Sequence, residues 1–239
     1  MNNKYAAIWL FLDIECTQLD YQAHNFGILE IAAAIVDNSM EVIDTFHVIV
    51  NQPAHIIAAA SKWCKKRFCS RLEGGNDLFA QCDASIITEA QAGFMLEQFI
   101  MKHAKERHMQ PDEAEQKRRF FQAAELETID AAIETETSEA FIEKDVEKTQ
   151  GGISHFRVML AGCSVYFDRA VLLHIYPRLR NLIGHKTIEL SSLLEIARKW
   201  RPDILATLPP AQDAHRALID VLESVSLLRW FWRFIVVAN

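Results

Sequence analysis

Ile8-Trp9-Leu10-Phe11-Leu12-Asp13-Ile14-Glu15 is an apolar run that closes on two acids separated by one residue. Its length and composition are those of a buried β-strand. Successive side chains on a strand point to opposite faces, so Asp13 and Glu15 share a face and their carboxylates converge. Two like charges side by side repel, and withdrawing either from water is costly without a counter-charge. A divalent cation is the simplest counter-charge. Solvation of both acids at the strand end is the alternative, and the other acids of the chain decide between the two.

Working outward, Ala6 to Ile14, Ile28 to Asp37 and Glu41 to Val50 read as three strands, the last two joined at Asn38-Ser39 as a hairpin. A loop with weak helical signal follows, and Thr88 to Ala104 reads as an amphipathic helix with Thr88 near its cap. Residues 106–152 are rich in Glu and Ala and end at Gly151-Gly152, which marks an acidic insertion, helical or partly disordered. Beyond it come a strand over Arg157 to Ala161 and helices over Asp168 to Tyr176, Ser191 to Trp200 and, after Pro209-Pro210, Ala214 to Val236. Strands first, then strands alternating with helices, specify an α/β fold in which helices cover a mixed sheet. The expected organisation is one domain over residues 1–239, with 106–152 inserted within it.

The chain has 239 residues, half of them hydrophobic, enough for a packed core. Its net charge of −7 is local. Between Glu106 and Gln150 lie 13 acids and 6 Lys or Arg, whereas the rest of the chain holds 19 of each. The body therefore lacks the basic excess of a protein that tracks long nucleic acids through many phosphates, and short substrates fit better. The five cysteines form an odd, scattered set without a CxxC, as expected of reduced intracellular thiols. The longest apolar runs, Ile28 to Val36 and Trp230 to Ala238, are too short to span a bilayer. Met1 to Tyr5 leave no room for a secretory signal, so an intracellular site is expected, the cytoplasm first and mitochondria as the other compartment.

Three further residues bear on the acid pair. Asp168 stands near a helix start, where it can cap backbone donors as readily as it can bind a metal. His215 and Asp220 are five residues apart, about 140° around a regular helix, so they meet at one site only if His215 lies at or before the helix start. Pro209-Pro210 and a cap at Asp213 permit that. Glu30, alone in Ile28-Leu29-Glu30-Ile31-Ala32, reads as a buried, hydrogen-bonded structural carboxylate. The run Ser61 to Phe68, with Lys62, Lys65, Lys66 and Arg67 around Trp63, is either a phosphate-contacting surface with an aromatic to stack on or a solvated helix face.

Five segments taken together resemble the oligoribonuclease family of DEDDh exonucleases, which has a ribonuclease H-like fold. They are Leu12-Asp13-Ile14-Glu15-Cys16-Thr17-Gln18-Leu19-Asp20, Ile28-Leu29-Glu30-Ile31-Ala32, Ala161-Gly162-Cys163-Ser164-Val165 with Asp168-Arg169, Leu193 to Pro202, and His215-Arg216-Ala217-Leu218-Ile219-Asp220. The resemblance spans residues 5–104 and 157–236. It implies that Asp13, Glu15, Asp168 and Asp220 hold two divalent cations, Mg²⁺ or Mn²⁺, and that His215 is the general base. The implied reaction shortens RNA from its 3′ end to 5′-mononucleotides.

The same resemblance implies that Leu19 wedges between bases, that Ser164 lies near the substrate, and that His185, Lys186, Ser191 and Ser192 hold the far end of a short RNA across a homodimer. Gln18 stands where the family has glycine, Cys163 where it has asparagine, Glu189 aspartate, His185 tyrosine and Lys186 arginine. Lysine cannot make the bidentate phosphate clamp of arginine, so the far end departs more from the family than the catalytic set does. The acidic insertion has no counterpart in the compact pattern and is expected to face a protein partner. A non-catalytic nucleic-acid-binding factor on a retired nuclease fold, and a DNA-directed proofreading or repair exonuclease, remain the alternatives.

Overall fold

The computed structural model describes residues 8–37, 39–108, 158–212 and 214–235. Only residues 106–108 of the acidic segment fall among these, and Asn38 and Asp213, read as hairpin and cap residues, lie outside them.

The opening run forms β1 (Trp9–Cys16), followed by β2 (Ile28–Val36) and β3 (Val42–Ile49). These three strands pair antiparallel, and Asp37 closes the β2–β3 hairpin by accepting from the Ser39 and Glu41 amides. Three short helices occupy the stretch read as a loop: α1 (Ala54–Ala58), α2 (Lys62–Phe68) and α3 (Leu78–Ala84). Then come α4 (Glu89–His108), β4 (Val158–Gly162), α5 (Val165–Ile175), β5 (Ile183–Glu189), α6 (Leu190–Trp200), the single turn α7 (Pro202–Leu205) and α8 (Ala217–Ile235). The sheet order is β3-β2-β1-β4-β5, with β4 and β5 parallel to β1 and its parallel neighbour. This is the mixed, helix-flanked sheet expected from the sequence.

Period-two alternation along β1 builds a core on each face. Leu10, Leu12 and Ile14 pack with Ala92, Leu96 and Ile100 of α4 and Val171 and Leu172 of α5. Phe11 packs on the opposite face with Val221, Val225, Leu228 and Phe231 of α8. Asp13 and Glu15 continue the Phe11 stripe, so the acid pair points to the side covered by α8. A third cluster of Leu29, Cys64, Phe68, Leu78 and Cys82 seats α2 and α3 against β2. The α8 docking is strong enough to matter: truncating buried Leu228 to alanine removes about 2–5 kcal/mol of stability.

Candidate active site

β1 and β4 are paired only from Trp9 to Phe11, so the β4 side of β1 opens beyond that point. Gly162 ends β4 so close to β1 that a Cβ there would lie 2.9 Å from the Leu12 carbonyl oxygen. The freed Ile14 N–H donates to Asp168 Oδ1 at 3.0 Å, across 154 residues of sequence. Asp168 therefore serves the strand, while its carboxyl is also bonded by its own backbone amide in the first turn of the helix. It lies buried in the first turn of α5, with its carboxyl group at the acid-bearing end of β1.

The final helix supplies the other two residues. α8 begins at Ala217, which leaves His215 outside it in a left-handed conformation, φ +46°. That geometry removes the obstacle of a regular helix: one ligand atom each from Glu15, His215 and Asp220 lie within 4.8 Å of one another. A left-handed conformation costs a non-glycine residue about 1–3 kcal/mol and persists only where the surroundings impose it. Asn76 helps impose it, its Nδ2 donating to the carbonyls of Ala214 at 3.2 Å and His215 at 2.8 Å.

The electrostatics of this basin are those of a cluster short of positive charge. Burial, and then the carboxylates of Asp168, Glu15 and Asp220, hold the Asp13 carboxyl far above the usual range. Burial and the charge on Asp220 push Glu15 up to about 8. Burial pushes Asp168 up to about 7, against the lowering effect of the Ile14 amide. Asp220 is raised to about 6, again by burial, with His215 opposing. Burial and mutual repulsion raise the four carboxyls together. The donor set fits hard divalent cations: carboxylate oxygens suit Mg²⁺ and Mn²⁺, and adding them would reverse the repulsion.

Two walls border the basin. Thr17, the residue after β1, accepts from the Ser61 amide at 2.9 Å, and Ser61 caps α2 through the Cys64 amide. This places Trp63 beside the histidine, with ring centroids 4.9 Å apart and planes at 87°. Trp63 is 54% exposed. The sequence marked its basic run without showing that it adjoins His215, because that contact is set by long-range packing. Thr17 also pins the base of the 18–26 loop to Gly27, and Gln18 Nε2 donates to Asn25 Oδ1 across the loop. At the tip of this loop Leu19 is 78% exposed.

The far-end residues are placed differently. His185 and Lys186 are exposed on β5, a strand the sequence did not reveal. Ser164 has φ +55° and its amide donates to Glu189 Oε1 at 2.6 Å. The Ser191 hydroxyl donates to the same oxygen at 2.7 Å, so Glu189 ties the start of α5 to the start of α6. Ser192 is exposed. Within one chain, Asp13, Glu15, Asp168, His215 and Asp220 come together, whereas His185, Lys186 and Ser192 are exposed side chains on β5 and the start of α6.

No family model matches the chain. Oligoribonuclease of Marinobacter nauticus is 25% identical over 232 residues, 97% of this chain and 96% of that protein. Oligoribonuclease of Aliivibrio fischeri is 26% identical over 230 residues, covering 96% and 94%. The chain is thus similar, over nearly its whole length, to proteins named oligoribonuclease. A shorter stretch of 73 residues is 33% identical to the mitochondrial oligoribonuclease of Saccharomyces cerevisiae, 30% of this chain and 27% of that one. Among solved structures, E. coli exonuclease I in complex with a dA16 oligonucleotide superposes with a TM-score of 0.52 at 12% identity, over 95% of this chain. The chain matches about two fifths of that protein's length, 41%, and the likeness is one of fold. The mixed, helix-flanked sheet expected from the sequence is thus a fold shared with that exonuclease.

Proposed function

We propose that this protein is a metal-dependent 3′-to-5′ exoribonuclease that hydrolyses short oligoribonucleotides to 5′-mononucleotides. Asp13, Glu15, Asp168 and Asp220 hold two divalent ions, Mg²⁺ or Mn²⁺, and His215 is the general base. The observation that carries this reading is the convergence, in one basin, of four raised carboxyls and a histidine drawn from three separate elements and a loop. Near full-length similarity to proteins named oligoribonuclease supports it.

When bound, the ions supply positive charge at the attacking and leaving oxygens of an in-line displacement at phosphorus. The chain does the rest. His215, beside Glu15 and Asp220, takes a proton from the attacking water as general base. Asp168 holds the end of β1 in register through the Ile14 amide, which fixes Asp13 and Glu15 on either side. Trp63 offers an exposed aromatic face on which a base stacks, worth about 1–3 kcal/mol, and Leu19 an exposed apolar side chain to wedge between bases.

The chain acts as a single exonuclease domain with 106–152 as an insertion, whose negative charge suits a protein partner better than RNA. A homodimer brings His185, Lys186, Ser191 and Ser192 of one copy to the far phosphate of an RNA held by the other, with the Ser191 hydroxyl first released from Glu189.

The test uses 5′-labelled RNAs of two to twenty nucleotides with Mg²⁺ or Mn²⁺, beside matched DNAs and the Asp13→Ala protein. Metal-dependent shortening of the shortest RNAs by the native chain alone is expected. No shortening in either metal contradicts the reading, and equal processing of DNA contradicts its restriction to RNA.

A further inference from the structure

Glu30 faces Glu15 directly in the β1–β2 ladder, on the same face as the acid pair. Two acids opposite each other destabilise a sheet unless something lies between them. Glu30 is fully buried, and it is saturated with donors from three other parts of the chain. Arg216 meets it with Nε at 3.1 and 3.2 Å and Nη2 at 2.9 Å. The Ala217 amide donates to Oε2 at 3.0 Å, and His47 Nε2 on β3 lies 2.6 Å from Oε1. Arg216 Nη2 also reaches Gln81 Oε1 of α3 at 2.8 Å. Burial favours the neutral acid, but the hydrogen bonds from His47, Arg216 and the Ala217 amide outweigh it and hold Glu30 below the usual carboxylate range.

Ala217 opens α8, so Glu30 supplies from another strand the carboxylate that an N-cap residue would supply locally. Arg216 sits between that capped amide and His215. On the other side, the His215 carbonyl is held by Asn76. The backbone of His215 is therefore gripped from both directions while it adopts φ +46°. Arg216 also faces Glu15, whose carboxyl it lowers against the effect of burial.

We propose that Glu30 and Arg216 are positioning residues of the hydrolytic site: a buried carboxylate–guanidinium pair that seats the start of α8 against β2 and thereby sets the His215 ring and Asp220 against Glu15. The pair needs arginine, because only a planar fork satisfies Glu30 and Gln81 together. Neither residue touches the reacting atoms. This inference rests on the hydrolytic reading above, and its test has a readout that does not.

Full-length Arg216→Gln, Arg216→Lys and Glu30→Gln are compared with the native protein in kcat and KM on a short RNA, in Mn²⁺ affinity, in thermal unfolding and in the ring ¹H–¹⁵N signals of ¹⁵N-histidine-labelled protein. Arg216→Gln is expected to lower kcat by about 10- to 100-fold, the scale of a misplacement near 1 Å, with KM within about threefold. Its His215 ring signal shifts or broadens, and Arg216→Lys falls between Arg216→Gln and the native protein. If Glu30→Gln does not fold, the two Arg216 variants carry the comparison. A lower unfolding temperature with native kcat and a native His215 signal overturns the proposal, leaving the pair a structural one. If the native chain hydrolyses no RNA, the functional reading fails by itself; the His215 signal and Mn²⁺ affinity of Arg216→Gln still decide the positioning, and unchanged values overturn it.

Discussion

The acid-bearing end of β1 and the β5–α6 edge are both candidate substrate surfaces, and they are built in opposite ways. At β1, residues far apart in sequence are brought together and held by long-range hydrogen bonds: the Asp168 carboxylate by the Ile14 backbone amide, and the His215 carbonyl by the Asn76 side chain. At β5, His185 and Lys186 are exposed on an outer strand, and Ser191 is engaged by its neighbour Glu189. Reaction chemistry demands fixed geometry, which burial and long-range bonds provide. Under the proposed function, recognition of an RNA end needs exposed side chains, and His185, Lys186 and Ser192 are exposed. The difference predicts which substitutions abolish activity and which merely shift substrate preference.

The largest effect is expected at the acids. Asp13→Ala or Asp220→Ala lowers the rate of RNA shortening by on the order of 10³-fold or more, since charge stabilisation at phosphorus depends on them. Residual activity within tenfold of native, measured by product release at saturating Mn²⁺, breaks the comparison at its root. Next is His215→Gln, with a loss of about 10²–10⁴-fold in kcat and nearly native Mn²⁺ affinity, as expected of a base rather than an essential ligand.

Stability of the metal-free protein sharpens the comparison from another side. Glu15, Asp168 and Asp220 are raised to about 8, 7 and 6, against values near 4 in the unfolded chain. Between these limits the folded state holds more protons than the unfolded state, so stability falls as pH rises. Stabilisation present below about pH 4 is lost on passing through pH 6 to 8, by on the order of a few kcal/mol. Urea unfolding in EDTA at pH 5 and pH 8 measures this. Added Mn²⁺ restores stability at pH 8, and Asp13→Asn flattens the pH dependence. A metal-free protein more stable at pH 8 than at pH 5 contradicts the account of the basin.

The smallest effects belong to the outer edge. Lys186→Ala and Ser192→Ala raise KM for short RNA by about two- to fivefold with little change in kcat, the behaviour of exposed contacts that bind ground and transition states alike. A collapse of kcat in either variant would place the edge within the chemical centre.

Much of the basin was legible in the sequence because its logic is local. Period two put Asp13 and Glu15 on one face, helical geometry made a His215 outside α8 the condition for its meeting Asp220, and the family resemblance supplied the set as a whole. Glu30 was read correctly as a hydrogen-bonded buried acid, yet its place opposite Glu15 depends on the β1–β2 register, which single strands do not encode. β5 went unread because Ile183-Gly184-His185-Lys186-Thr187-Ile188-Glu189 lacks apolar alternation and, paired with β4 at the sheet edge, has no need of it. The grip of Asn76 on His215 and the contact of Trp63 with its ring were hidden for another reason. Both join segments more than 130 residues apart, and neither leaves a periodic trace.

The most direct measurement is anomalous diffraction from crystals soaked in Mn²⁺. Two peaks are expected, both within ligand distance of Asp13, with Glu15, Asp168 and Asp220 completing the shells. No peak between Asp13, Glu15 and Asp220 would contradict the two-ion site and, with it, the proposed hydrolysis.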